Sequence, residues 1–297
     1  MVLKWVFSIF NNYSVAIIVV TIAIRLLILP LDLRQKKSTR KMALVQPKLE
    51  SLKKRYANNP QQLQKKQKEL YAKEGVKPLA GCLPMLITLP IFFAFFGAMR
   101  ALAAEQTVAM ILNAHALGPD AYELPQWLWV HNFWQPDSGL ADIIPKGADF
   151  VTFLQQYSRN ISPQSLQMLS DAGLINFGAD GLVATPAFET LKTGILNAND
   201  LVGYKNGWFI LPLLAGGSMF LQSKLSMGQN PQQASQGKIM MYFFPVFSVY
   251  ICVISNTAFA LYWLTANVYA LSQTLILNYI YKKRDDKAKE GLIKEES

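Results

Sequence analysis

Charge is scarce in this chain. Only 16% of its 297 residues are Asp, Glu, Lys or Arg, and 52% are hydrophobic, whereas soluble globular domains carry about 25% charged residues. A two-domain soluble enzyme is excluded. Cysteine and histidine are scarcer still, at two each. Cys82 and Cys252 fall at opposite ends of their respective apolar spans, so no disulfide framework is expected. His115 and His131 share one connecting region without ligand-like spacing, and CxxC is missing, so neither a metal nor another cofactor is expected. The first apolar run is interrupted by Arg25, lacks a small-x-small exit and has no early cysteine for a lipid, so it is expected to stay in the mature protein.

Acidic residues are missing from every apolar span. That leaves no carboxylate pair for acid/base work or peptide hydrolysis inside a membrane. No serine or cysteine has a histidine within a plausible membrane plane, and no Gly-rich phosphate loop appears. The expectation is a protein that is not an enzyme. Gly216 and Gly217 lie within an apolar span, where small residues permit close helix packing.

What is present is long apolar runs. Five approach or exceed the roughly 20 residues that cross a bilayer: Ser14 to Leu31, Leu83 to Ala103, Gly207 to Ser223, Ile239 to Ser255 and Thr257 to Tyr281. The last two form one run that, as a single helix at 1.5 Å per residue, would be about 65 Å long, roughly twice the hydrocarbon thickness. It must fold back, and Ser255, Asn256 and Thr257 mark the reversal. The predicted fold class is an all-α integral membrane protein: five transmembrane helices, a cytoplasmic helical hairpin and an enlarged outer-surface loop domain. The corresponding segments are 1–31, 32–80, 81–103, 104–206 with an insertion at 138–206, 207–281 and a charged tail at 282–297.

Charge position sets the direction. Between Asp32 and Ala80 stand 14 Lys plus Arg against 4 Asp plus Glu, and between Ala104 and Asn206 the count reverses to 4 against 10. Basic short connections are retained in the cytoplasm. The N-terminus is therefore expected outside, the acidic connection outside, and the C-terminus in the cytoplasm. Trp5, Trp208, Tyr279 and Tyr281 lie near span ends, where amphipathic rings prefer the interface. In the basic connection Val45, Leu49, Leu52 and Tyr56 recur at helical spacing; Asn58, Asn59 and Pro60 break the pattern, and Leu63 and Leu70 restart it. Lys53, Lys54, Arg55, Lys65, Lys66 and Lys68 on this hairpin read either as a solvated, topology-holding face or as a contact for anionic lipid or ribosomal RNA.

Arg25 sits about 9 Å along the helix from the inner end of its span. At the centre of a membrane helix an arginine costs on the order of 3 kcal/mol unless water or a partner solvates it. Snorkelling to the headgroups is one resolution. The other is a wet intramembrane cavity lined by neutral polar groups: Thr21 one turn away, Gln222 in the third span, and Asn267, Ser272 and Gln273 in the fifth. Arginine does not release its proton, so a proton relay is excluded.

Several pieces together resemble the YidC/Oxa1/Alb3 family of membrane protein insertases. They are Thr21-Ile-Ala-Ile-Arg25 with Leu29-Pro30-Leu31, Gln46-Pro47-Lys48, Pro78-Leu-Ala-Gly-Cys82-Leu-Pro84, Leu89-Pro90-Ile-Phe-Phe, Leu211-Pro212-Leu-Leu-Ala-Gly216, Met219-Phe-Leu-Gln222, Lys238-Ile-Met-Met with Pro245, and Leu261-Tyr262-Trp263 with Asn267 and Gln273. The resemblance implies a five-helix core with a groove open to the cytoplasm and the lipid. It makes Arg25 the groove arginine, with Thr21, Gln222 and Trp263 at groove or substrate-contacting positions. Nascent membrane proteins, the bilayer, and a ribosome or the general secretion translocon are the implied partners, with a monomer sufficient, in a bacterial plasma membrane. Two departures stand out: Asn256, Thr257 and Ala258 replace the family's Pro-Ser/Ala-Gly, and Ser138 to Asn206 is an insertion between Asp137 and the third span. Phe150 to Tyr157 and Leu166 to Leu174 within it are amphipathic, compatible with a small helical lid. A small-solute or anion transporter using Arg25 as its binding charge is an alternative; it predicts an internal repeat or matched broken spans, and neither occurs. A ribosome-tethering receptor is a third reading.

Overall fold

The computed structural model describes residues 2–76, 83–178, 181–227 and 233–295. Cys82, the Pro78-to-Cys82 motif and residues 228–232, between the expected third and fourth spans, lie outside them. Two compact units emerge: Met1–Ile91 with Ala215–Ser248 and Leu264–Ser297, and Phe92–Leu214 with Val249–Trp263.

The first unit opens with α1 (Val2–Phe10) and α2 (Tyr13–Arg55). Asn11 takes a left-handed φ of 46°, a conformation asparagine tolerates at a helix end. Asn12 then caps α2, its side chain accepting from the amides of Ser14 and Val15 at 3.0 and 3.2 Å. Phe7 stacks on Tyr13 with ring centroids 3.9 Å apart. The α2 helix runs for 43 residues through Pro30 and Pro47, each of which removes one amide donor from the ladder. It ends at Arg55, and α3 (Pro60–Lys73) begins with Pro60 in its first turn and Asn59 accepting from the Gln62 amide at 3.1 Å. The Asn-Asn-Pro break therefore has a mechanism: a cap followed by the residue that needs no amide partner. Buried Val45 and Leu49 supply the thin apolar stripe of the hairpin.

The remaining long helices are α4 (Leu83–Leu117), α8 (Ile210–Met227), α9 (Gln233–Val253) and α10 (Thr257–Glu295). Among the described residues, Tyr13–Arg55 and Leu89–Leu117 are long and apolar enough to cross a membrane, and Met241–Val253 is a shorter apolar helix. The α4 helix does not stop at Ala103. It continues to Leu117, because the residues after the apolar run are good helix formers whose buried face (Ala104, Val108, Ile111, Ala114) packs into the core of the second unit.

That core lies within residues 104–201, the region expected from the sequence to be an outer domain. It is built on the α4 extension by α5 (Gly147–Gln156), α6 (Pro163–Asp171) and α7 (Pro186–Ala198). Phe150 and Phe188 stack at 4.8 Å in its centre, both fully buried. The domain is not purely helical: β1 (Ile175–Gly178) and β2 (Gly181–Ala184) pair antiparallel, Phe177 opposite Leu182. Apolar residues next to Gly178 and Gly181 favour this strand pair over a helix.

The two ends of the insertion are tied together. The Asn206 side chain accepts from the Asn132 amide at 2.7 Å and donates to the carbonyls of Asn132 and Pro136, both at 2.9 Å. Between α9 and α10, Asn256 accepts from the Phe259 amide at 2.9 Å as a helix cap and donates to the Met99 carbonyl at 3.1 Å. Thr257 donates through both its amide and its hydroxyl to the Gln135 carbonyl. Two of the three residues that depart from the family pattern, Asn256 and Thr257, thus hold the start of α10 by side-chain hydrogen bonds.

Candidate functional site

At 100° per residue, Thr21, Arg25, Asp32 and Lys36 fall within an arc of about 60° on α2. Thr21 is buried, and its hydroxyl donates to the Ile17 carbonyl at 2.6 Å, so it is satisfied within its own helix. Arg25 is half-buried, and the Asp32 carboxylate lies within reach of its charge and that of Lys36. Lys36 donates to the hydroxyl of buried Thr274 on α10. Restricting the search for acidic partners to the apolar run hides Asp32, one residue beyond Leu31; the helix continues without a break, so Asp32 shares the Arg25 face.

In the same unit Asn267 is buried and donates to the Ala215 carbonyl of α8 at 3.3 Å. Gln222 lies about two turns from Ala215 on the same face of α8 and is half-buried. The Gln273 amide nitrogen is buried without a hydrogen-bond partner among the described residues. Close packing does not account for Gly217, which is exposed with nothing within 4 Å of where its β-carbon would stand, although Gly216 is buried.

Trp263 belongs to the other unit. There its ring meets Phe92 edge-on at 5.1 Å and stacks on Phe259 at 5.9 Å, while Tyr262 stacks on Phe95 at 4.1 Å. The six groove candidates thus divide: Thr21, Arg25, Gln222, Asn267 and Gln273 in the first unit, Trp263 in the second. Arg100 is a residue that sequence reasoning passed over. It is half-buried on α4 with its guanidinium 4.7 Å from the Phe96 ring centroid, and a lone arginine between Leu83 and Ala103 was a sufficient signal for it.

On the hairpin, Lys48 joins Glu74 at 2.6 Å and Lys66 joins Glu69 at 2.7 Å. Those hydrogen bonds hold both carboxyls below their ordinary values. Lys53, Lys54 and Arg55 are exposed in the last turn of α2, where the helix dipole favours cations, and Lys65 and Lys68 are exposed on α3. Arg40 forks onto Asp285 at 2.6 and 2.8 Å and lies 4.1 Å from the Tyr281 ring centroid, fastening α2 to α10.

A family model described as 60Kd inner membrane protein matches residues 5–177 and 172–285. The chain is 29% identical over 282 residues to the membrane protein insertase YidC of Oceanobacillus iheyensis, covering 91% of this chain and 77% of that one. It is 27% identical over 271 residues to the membrane protein insertase MisCA of Bacillus subtilis, covering 90% and 70%. Against the membrane protein insertase YidC of Fusobacterium nucleatum the identity is 29% over 263 residues, covering 89% and 84%.

Proposed function

Because the chain belongs to the 60Kd inner membrane protein family, that of the YidC insertases, we propose that it inserts and chaperones nascent membrane proteins through a hydrated groove open to the cytoplasm. Five membrane spans, with the N-terminus outside and the C-terminus in the cytoplasm of a bacterial plasma membrane, frame that groove. The observation that carries the reading is Arg25, half-buried on an apolar helix in line with Thr21, Asp32 and Lys36. An arginine so placed stays charged and needs water or a polar partner.

The chemistry follows from desolvation. The polar outer segment of a substrate pays a large cost to enter hydrocarbon, and a half-open aqueous groove shortens that path. Arg25 attracts an acidic group on this segment, while Asp32, already near it, keeps the attraction weak enough for release. The side chains of Gln222, Asn267 and Gln273 offer amides to the passing backbone. Trp263 is a substrate-contacting ring. The hydrophobic segment then moves into lipid, driven by about 25 cal/mol per Å² of apolar surface transferred, so no nucleotide and no cofactor are needed. The family is one of insertases and not of catalytic enzymes. One copy suffices for these steps. The exposed cations Lys53, Lys54, Arg55, Lys65 and Lys68, with Lys66 beside its Glu69 partner, suit the phosphates of a ribosome; the general secretion translocon is a further partner.

Reconstitution into liposomes with a single-span substrate tests the proposal. Arg25→Ala lowers insertion and Arg25→Glu lowers it further, whereas Arg25→Lys retains part of it, because charge survives without the planar fork. Unchanged insertion with Arg25→Glu overturns the groove mechanism. A cysteine at position 25 reacts with a water-soluble reagent from the cytoplasmic side alone.

A further inference from the structure

Three turns of the second unit converge on one buried carboxylate. Asp137 accepts from the Trp129 indole at 3.0 Å, the Trp208 amide at 2.9 Å and the Leu211 amide at 2.7 Å. A β-carbon on Gly207 would overlap that carboxylate, and one on Gly139 would press on the Phe209 ring at 3.0 Å. The turns carrying Leu128, Leu140 and Trp208 are therefore packed around a common centre in which the polar groups are consumed. The nearby charges Lys205 and Asp142 pair at 2.5 Å.

The tips of these turns do the opposite of what surface turns usually do. Each presents a large apolar side chain to the outside: Leu128 is 73% exposed, Leu140 77% and Trp208 68%. Leu128 does so from a left-handed backbone with φ of 51°, a strained choice for leucine that a polar or glycine residue would relieve. The apolar surface continues past Trp208 onto Leu213 and Leu214 at the start of α8, both exposed.

We propose that Leu128, Leu140 and Trp208 form a three-point foot that seats the outer domain in the headgroup layer of the outer leaflet. The proposal rests on the reading of α8 as a membrane span, with which the foot is continuous. Its occupant is the phospholipid interface. Trp208, with an apolar body and a polar N–H, suits that layer, and the two leucines reach the boundary of the acyl chains. Seating orients the outer domain and keeps its foot from acting as an exposed sticky patch.

The test uses the full chain, with Cys82→Ser and Cys252→Ser, in phosphatidylcholine/phosphatidylglycerol vesicles. Single cysteines from Leu128→Cys, Leu140→Cys, Trp208→Cys, Leu213→Cys and Phe177→Cys carry a bimane fluorophore, read with lipid brominated near the headgroup. Phe177, exposed on β1, is the aqueous reference. Quenching at 128, 140 and 208 is expected to exceed that at 177 by at least ~2-fold, with 213 also quenched. If 213 is quenched while 128 and 140 match 177, the foot is overturned and the span reading stands. If 213 escapes quenching, the span reading fails and takes the foot with it. Protection of 128 and 140 from both brominated lipid and aqueous iodide reveals a protein partner instead and overturns the proposal.

Discussion

In the unit that carries Arg25, Asn267 has a long hydrogen bond at 3.3 Å, and the Gln273 amide nitrogen has no partner among the described residues. In the second unit, Asp137 accepts three hydrogen bonds, and Asn132 and Asn206 exchange theirs across 74 residues of chain. That unit also holds an apolar core centred on Phe150 and Phe188. A buried polar group left short of partners costs free energy. Thr107 and Ser255 of the second unit also hold buried hydroxyls without a partner among the described residues, so the contrast is between these two sites and not between whole units.

Truncation in the apolar core should give the largest effect. Phe188→Ala lowers the stability of the outer domain by about 3–5 kcal/mol, read as loss of protease resistance at 147–198, while single-span insertion by the intact membrane helices persists. Loss of insertion in step with the outer domain would break the division. Next comes Asp137→Ala, which strands three donors and costs about 2–3 kcal/mol; thermal unfolding of the reconstituted protein reports it. Gln273→Leu sharpens the contrast because its sign is opposite: removing an unpartnered amide leaves stability unchanged or raised by up to about 1 kcal/mol, yet insertion slows. Slower unfolding with unaltered insertion would show that Gln273 serves no substrate.

The smallest effect is electrostatic. The hydrogen bond from Lys192, and then that from the Gly147 amide, hold the Glu189 carboxyl below its ordinary value. A depressed folded value means the contribution is complete above the unfolded carboxylate range and is lost as pH falls through the folded value. With Glu189 half exposed, the loss stays under about 1 kcal/mol. Acid titration of outer-domain stability should therefore differ only slightly between the wild type and Glu189→Gln, with the gap closing below about pH 4.

How much of this was legible in the sequence depended on the kind of signal. The breaks at Asn58-Asn59-Pro60 and at Ser255-Asn256 were readable because caps and proline act locally. Two of the outer helices were readable from their periodicity, whereas the β1–β2 hairpin was not, since strands of four residues carry almost no period. The α4 extension was hidden because apolarity ends at Glu105 while the helix does not. At the site, Arg25 announced itself by its surroundings. Asp32 needed the knowledge that α2 passes Leu31 unbroken, and the assignment of Trp263 and Arg25 to different units has no local signature.

The spacing of the Asp137 partners also has a consequence in time. Leu211 follows Asp137 by 74 residues, so at about 5–20 residues per second a ribosome needs roughly 4–15 s to supply the amide that the carboxylate is waiting for. During that delay the carboxylate lacks the partner that the folded chain gives it. The start of α8 gains this contact only after the residues between Asp137 and Leu211 have been synthesised, which makes that stretch of chain a clock for the helix that follows it.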